Sequence, residues 1–492
     1  MKLKAILVFL FLVVGLIYGD EKATKTSKAK ESSEICKKCK CNPDEKVINC
    51  SKKGLTKMFT VDDWSALEEV GDEYEILRMD HNLLDEIDVP FPTLKSALKI
   101  IDFSHNKIKK IVKNAFTNLS YVEEIDLSYN DIPTEALKPN VFEGKYSADE
   151  YEPIKTLKIL KLSFNLLHNF DDDIFEHVMH LQELHLDNNP LQVIHPSLMS
   201  AFSDIPQLTY LNLSRCELKE LPDSIFHPFK ALKVLDLQGN LFENVPTKAL
   251  YYAKNVRELY LDDCPIGDLN EKNSFPVMPN LEKLSMTYMQ KLRKISHGAF
   301  AGLEKLKELR LSNNHHLSSI EDTAFTFKKD DETETIWPPL RKLSLDNNNL
   351  TTLTSDVFIK WEEMEELHLH DNPWICDCEL NYVLSHLMPI VNRTTPHLIE
   401  HIKCAEPPAY KDRQLMELKN EDYHLRCLDK YGRHPENDSA LLVALLIGVL
   451  LGIPLTFACI LIFKRLFGER KGAAKYSRAF YKRADMQDDM HI

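Results

Sequence analysis

The segment Leu181–Leu191, with the sequence LQELHLDNNPL, constrains the fold more than any other part of the chain. Its fixed residues follow the spacing L-x-x-L-x-L-x-x-N-x-L. Leu184 and Leu186 therefore share one face of a short strand, and His185 points to the other face. Asn189 follows the strand and carries amide donors and an acceptor that suit the backbone of a turn. One such turn of chain cannot bury its leucines alone, but stacked copies can.

The same spacing recurs twelve times along the chain, with a basic period of 24 residues. It resembles the leucine-rich repeat, which has a period of roughly 20–29 residues and Asn or Cys at this position. Met289 departs from the pattern, and we expect a local distortion there. The residues at the asparagine position are Asn82, Asn106, Asn130, Asn165, Asn189, Cys216, Asn240, Cys264, Met289, Asn314, Asn348 and Asn372. A second buried spine is predicted at Phe116, Phe142, Phe175, Phe226, Phe300, Phe325 and Phe358.

The two ends of the chain indicate a membrane protein. Residues 1–19 have lysines followed by an apolar run, which is typical of a cleaved signal peptide, and residues 20–35 are predicted to be a flexible extension. Residues 440–463 lack any charge and are long enough to span a bilayer. Basic residues follow at once in the predicted cytoplasmic tail, 464–492, so the expected location is the plasma membrane with the repeats outside.

Two cysteine clusters flank the repeats at residues 74–371. Cys36, Cys39, Cys41 and Cys50 lie in a predicted N-terminal cap, 36–73, behind the signal peptide, so disulfides are favoured over a metal site. The spacing alone leaves three pairings open. A C-terminal cap is predicted at 372–428, before a juxtamembrane linker at 429–439. Its cysteines are Cys376, Cys378, Cys404 and Cys427.

With these cysteine modules around 24-residue repeats, the chain resembles the extracellular leucine-rich repeat proteins over residues 36–427. The resemblance implies an α/β solenoid, a horseshoe of about 12 repeats with a concave parallel sheet and disulfide caps. It also implies that the concave sheet binds other proteins. The disulfide pairs that it implies are Cys36–Cys41, Cys39–Cys50, Cys376–Cys404 and Cys378–Cys427.

The residues between the fixed leucines face outward from the sheet, where a ligand would bind. Over the first six repeats these positions are unusually apolar, and exposed apolar patches tend to mark interaction sites. The alternative is that each side chain is half-covered by its neighbours and inert. The hypothesised protein-binding face consists of Ile76, Ile100, Tyr129, Ile159, Phe164 and Tyr210.

Three kinds of short motif suggest further sites. N-glycosylation is expected at Asn118, Asn212, Asn349 and Asn392. Ala444, Gly448 and Gly452 are each four residues apart and would allow two membrane helices to approach closely. The last residues, 490–492, form a weak apolar-x-apolar motif for domains of the PDZ type.

Other functional classes find little support in the sequence. The net charge of −14 and the lack of a long basic run argue against a nucleic-acid partner. His368 and His370 share a strand face, but no carboxylate, Cys or third His lies at a spacing that completes a metal site. We therefore expect no metal, no cofactor and no enzymatic activity.

The sequence favours a single-pass type I cell-surface protein that binds another protein, as an adhesion molecule, receptor or co-receptor. The sequence also allows self-association through the repeats or the membrane helix. The alternatives are a signalling receptor acting through tail adaptors and a shed protein that binds the extracellular matrix.

Overall fold

The computed structural model describes residues 33–69, 71–94, 97–143, 145–146, 151–152, 154–326, 337–353, 364–421, 425–427 and 436–467. The chain divides into two compact units after Leu425, of which the first holds the repeats and the second holds one long helix. The predicted signal peptide, the tail motif at 490–492 and Phe358 lie outside the described residues.

One sheet organises the first unit. Its twelve repeat strands pair in parallel, each with the strand one repeat away, and the register aligns Leu160, Leu184 and Leu211. The predicted solenoid of about twelve repeats is confirmed. The strands, which define repeats 1 to 12 in order, are Ile76–Arg78, Ile100–Asp102, Glu124–Asp126, Ile159–Lys161, Glu183–His185, Tyr210–Asn212, Val234–Asp236, Glu258–Tyr260, Lys283–Ser285, Glu308–Arg310, Lys342–Ser344 and Glu366–His368.

Short elements of varied type return the chain on the side opposite the sheet. They occupy more space per repeat than a strand does, which bends the solenoid with the sheet on its concave side. The strands outside the main sheet are Glu86–Ile87, Lys110–Ile111, Lys145–Tyr146, Tyr151–Glu152, Lys294–Ile295 and Ser319–Ile320. The helical turns are Thr134–Ala136, Pro139–Val141, Glu176–Val178, Pro196–Ala201, Phe202–Asp204, Thr247–Leu250 and Asp322–Ala324.

The interior consists of the repeated leucines and a spine of phenylalanines. The middle residue of each repeat strand is fully or almost fully buried. Behind the strands the rings stack, with 5.9 Å between the centroids of Phe116 and Phe142 and 5.1 Å between those of Phe300 and Phe325. All the predicted spine residues within the described chain are buried.

In most repeats an asparagine side chain joins the repeat to the preceding one. Asn189 Nδ2 donates to the carbonyl oxygens of Leu186 in its own repeat and Leu162 in the preceding repeat, both at 2.9 Å. Its Oδ1 accepts from the N–H of Leu167 at 3.1 Å. One side chain thus satisfies buried backbone groups on two neighbouring turns of the solenoid.

The exceptions to asparagine show what the position requires. Cys216 Sγ lies 3.3 Å from the Leu186 oxygen, so the thiol supplies one weak donor in place of the amide. Met289 can supply none, yet the register from Leu259 through Leu284 to Leu309 is unbroken. The distortion expected at Met289 therefore does not reach the sheet.

The N-terminal cap covers the first core layer. Its strands Lys40–Asn42 and Val47–Asn49 extend the sheet beyond repeat 1, and the cap helices are Glu34–Lys38 and Val61–Glu68. Ile35 is fully buried, so the predicted flexible extension ends earlier than residue 35. The disulfides Cys36–Cys41 and Cys39–Cys50 are the pairs that the resemblance implied.

The C-terminal cap closes the other end with Trp374 fully buried over the last repeat. Cys376 bonds to Cys404, as the resemblance implied, and Cys378 and Cys427 are also in disulfide bonds. The cap consists of the strands Trp374–Ile375 and Cys404–Glu406 and the helical segments Cys378–Leu380, Val383–Leu387, Met388–Thr394, Pro396–His401 and Leu415–Asn420.

The second unit contains the helix Glu436–Phe467. Within it, the 25 residues Leu442–Leu466 reach a mean hydropathy of 2.7 in their most apolar window. None of the residues in that window is buried. Length and composition would allow this helix to cross a membrane.

Replacing Asn189 by Ala removes the shared amide and leaves buried backbone groups in two repeats without partners. We expect a loss of about 2–4 kcal/mol in the free energy of unfolding, because each unpaired group costs about 1–3 kcal/mol. Asn189→Cys should lose less, since the thiol keeps one weak donor. Urea unfolding of the full chain in detergent measures both. Equal losses for the two variants would contradict the role assigned to the amide.

Candidate interaction surface on the sheet

Four of the six residues in the hypothesised binding face lie on the sheet itself. Ile76 and Ile100 are direct neighbours in the register, and Ile159 follows with Glu124 between them. Tyr210 is separated from Ile159 by Glu183. All four side chains are half-buried rather than exposed. The structure therefore brings two isoleucines into contact distance and leaves the others interleaved with acidic residues.

Tyr129 and Phe164 belong to a different line of positions, at the turn after each strand. We call this line the turn row; it contains the residue immediately before the asparagine position in every repeat. All twelve members have a positive φ, between 52° and 66°. They are His81, His105, Tyr129, Phe164, Asn188, Arg215, Gly239, Asp263, Tyr288, Asn313, Asn347 and Asp371.

The first four members of the turn row form a continuous stack on the surface, the aromatic ladder His81–His105–Tyr129–Phe164. The successive ring centroids are 4.3, 4.1 and 4.1 Å apart, and the interplanar angles are 24° or less. Each ring is exposed, with 42% of Tyr129 and 38% of Phe164 accessible. Sequence reasoning found the last two rings and missed His81 and His105, although the period of 24 links 81, 105 and 129.

The sheet face carries partly desolvated carboxyl groups, one beside the ladder in repeat 3 and one in repeat 7. Burial raises the pKa of Asp126 and raises that of Asp236 to about 6. The Asp236 carboxylate accepts from the backbone N–H of Gln238 at 3.0 Å, which partly offsets the effect of burial. Lys161 lies 2.5 Å from Glu124 and 3.8 Å from Asp126, so the charges of repeats 3 and 4 are paired.

Repeats 8 to 12 present a different surface, built from ion pairs. Lys283 lies 3.8 Å from both Glu258 and Glu308, and Arg310 Nε lies 2.7 Å from Glu308. A shallow cavity of about 310 Å³ opens on this part of the sheet, between Thr287 and His368. This end of the face is therefore charged, whereas the turn row of repeats 1 to 4 carries stacked rings.

The last two repeats also bring together three potential metal ligands, Asp346, His368 and His370. One ligand atom from each lies within 4.8 Å of the others. The expectation that no carboxylate accompanies the two histidines is therefore wrong. The carboxylate comes from the preceding repeat, and its signal in the sequence is the separation of 24 residues between Asp346 and His370.

The predicted glycosylation sites differ in accessibility. Asn349 and Asn392 are exposed. Asn118 Nδ2 donates to the Phe91 oxygen at 2.9 Å, and Asn212 Nδ2 donates to Asp187 at 3.0 Å. Glycosylation would leave the Nδ2 of either residue with a single N–H, which would have to serve this hydrogen bond.

A family model described as leucine rich repeat matches residues 75–132, 155–218, 206–266 and 272–327, which contain the strands of repeats 1 to 10. The chain is a leucine-rich repeat protein. Its relatives include chaoptin of Drosophila melanogaster, 30% identical over 240 residues that cover 44% of this chain and 17% of chaoptin. Keratocan of Gallus gallus is 27% identical over 240 residues, which cover 48% of this chain and 58% of keratocan.

The chain thus spans less than two thirds of the length of these two relatives. Among solved structures, it is similar to a chain in an octameric complex of Latrophilin 3, Unc5D and FLRT2. The identity is 20%, the TM-score is 0.41, and the match covers 77% of this chain and 95% of that one.

The raised pKa of Asp236 predicts a pH dependence of stability. A carboxyl group whose pKa is higher in the folded state binds its proton more tightly there. Its favourable contribution is complete below about pH 4 and is lost as the pH rises to about 6. Asp236→Asn should therefore gain stability relative to wild type between pH 4 and 7, and thermal unfolding measures the difference. The exposed Asp223→Asn should show no such trend, and a trend equal to that of Asp236→Asn would contradict the assignment.

Proposed function

We propose that this protein is a single-pass type I cell-surface protein that binds a protein ligand through repeats 1 to 4. The aromatic ladder carries the proposal. Its rings lie at the turns of repeats 1 to 4, and Ile76 and Ile100 lie on the strands of repeats 1 and 2, with Arg78 and Asp102 between the isoleucines and the turns.

The fold does not require aromatic residues in the turn row. A positive φ is strained for bulky side chains and is best tolerated by Gly, Asn and Asp. Repeats 5, 7, 8, 10, 11 and 12 have these residues there. Repeats 1 to 4 instead place four rings at the strained position and expose them to solvent. Exposed aromatic residues concentrate binding energy in protein interfaces, which gives a reason for their presence.

An extracellular location is part of the proposal. Disulfide bonds in both caps suit an oxidising compartment. A helix of sufficient length and hydropathy to cross a membrane follows the second cap, and Lys464 and Arg465 lie in its last turn. Asn349 and Asn392 are exposed and are the preferred glycan acceptors.

The membrane helix offers a second route to association. Nothing in the described chain lies within 4 Å of the position that a Cβ would take at Gly448 or Gly452. With Ala444 one turn before, these glycines leave a smooth face for a second helix. The proposal therefore includes dimerisation through this face, and the tail motif at 490–492 is proposed as a PDZ ligand.

The variant Tyr129→Asn/Phe164→Asn tests the binding face. Asn occupies the same backbone position in repeats 5, 10 and 11, so the variant should fold and reach the surface normally. Tyr288→Asn in repeat 9 is the matched control, because Tyr288 is 55% exposed at the same turn position but stacks on no other ring in the part of the chain that the structure describes.

The proteins are first expressed on non-adherent cells and scored for aggregation. If wild-type cells do not aggregate, the full chain in lipid nanodiscs probes an array of cell-surface ectodomains. We expect wild type and Tyr288→Asn to bind alike, and the double variant to bind at least tenfold more weakly, as for the loss of hot-spot aromatics. An undiminished interaction of the double variant would exclude the ladder, and the absence of any partner in both assays would oppose the proposed function.

A further inference from the structure

The pairing of repeats 11 and 12 places a carboxylate beside two imidazoles. Ser344 is the register partner of His368, and the N–H of Asn347 donates to the carbonyl oxygen of His370 at 3.0 Å. The two turns of chain thus remain aligned beyond the strands. As a result, Asp346 Oδ2 lies 3.8 Å from His370 Nε2, while His368 lies on the same face as His370.

These three side chains are a ligand set of recognisable chemistry. Imidazole nitrogen and carboxylate oxygen are the donors that zinc and similar transition-metal ions accept, whereas calcium and magnesium prefer oxygen alone. Tetrahedral zinc at its usual bond lengths holds its ligand atoms ~3.3 Å apart. The observed separations, all within 4.8 Å, need only small side-chain rotations to reach that value.

Hydrogen bonds from neighbouring side chains orient two of the three potential ligands. Ser312 Oγ donates to Asp346 Oδ1 at 2.6 Å and leaves Oδ2 directed toward His370. Glu366 Oε1 lies 2.9 Å from His368 Nε2 and fixes that ring through one nitrogen. Hydrogen bonds of this kind to carboxylates and hydroxyls are typical of the surroundings of metal ligands, which they hold in position.

His370 is the least satisfied of the three side chains. Its Nδ1 is buried and has no hydrogen-bond partner within the described residues. Its Nε2 lies 3.8 Å from Asp346 and 4.0 Å from Asp371, both beyond hydrogen-bond distance. In this half-buried ring, Nε2 therefore has no hydrogen-bond partner among the described residues, and an ion bound beside Asp346 would supply one.

We propose that Asp346, His368 and His370 form a binding site for a divalent transition-metal ion of the zinc class. The side chains retain 15–22% of their accessible surface, so an ion can enter from the concave side. Three protein ligands leave at least one coordination position for water or another donor. The site is separate from the aromatic ladder and does not depend on the function proposed for it.

The full chain in lipid nanodiscs is titrated with Co²⁺, whose absorption spectrum reports nitrogen coordination, and then with Zn²⁺ in competition. We expect one high-affinity ion per chain, a ligand-field band that Zn²⁺ abolishes, and a rise in the unfolding temperature with Zn²⁺. His370→Gln should abolish the band, and Asp346→Asn should weaken binding at least tenfold.

The matched control is His315→Gln/His316→Gln, an adjacent pair of histidines at a turn outside the proposed ligand set. It should bind Co²⁺ like wild type. The unfolding temperatures of all variants in the presence of EDTA distinguish loss of the site from loss of the fold. Wild-type protein that binds no ion at micromolar Zn²⁺, or His370→Gln and Asp346→Asn that bind as well as wild type, would overturn the proposal.

Discussion

The hydrogen bonds of the buried asparagine are the interaction on which the repeated geometry depends. The sheet strands are only three residues long, so strand pairing alone orders little of each repeat. The Asn189 amide adds contacts to its own turn and to the preceding turn, where the chain leaves the sheet. Because the same arrangement recurs, each turn stabilises the next one. The weaker donor of Cys216 is tolerated since Asn189 and Asn240 flank it.

This constraint also determines where surface chemistry can appear. To direct the amide inward, the preceding residue adopts a positive φ in every repeat, and its side chain then lies on the surface. The turn row is therefore a column of exposed or half-buried positions whose backbone conformation is the same in every repeat. Its residues can change without loss of the fold only among types that tolerate this conformation. Four consecutive rings in this column impose backbone strain that the packing of the core does not explain.

Sequence reasoning predicted the repeats, because burial of leucine at fixed spacing is a property of one turn of chain. It placed Tyr129 and Phe164 at the surface for the same reason. It missed His81, His105 and Asp346, the neighbour of His370, because these contacts form between successive repeats. Residues 24 apart in sequence are neighbours in space, whereas ligand spacings are usually sought within a strand or helix. The helix Glu34–Lys38 was missed because five residues carry too little periodicity.

The two ends of the sheet can act independently because each repeat of a solenoid contacts only its neighbours, so a change in one repeat has little effect on distant repeats. Seven strand spacings of about 4.8 Å separate repeat 4 from repeat 11, so the aromatic ladder and the histidine cluster lie ~34 Å apart along the sheet. Substitutions at such distances should have additive effects on stability. An ion at His370 would therefore change ligand affinity only if the ligand spans both ends. The affinity of a small partner bound at the ladder would not depend on the metal.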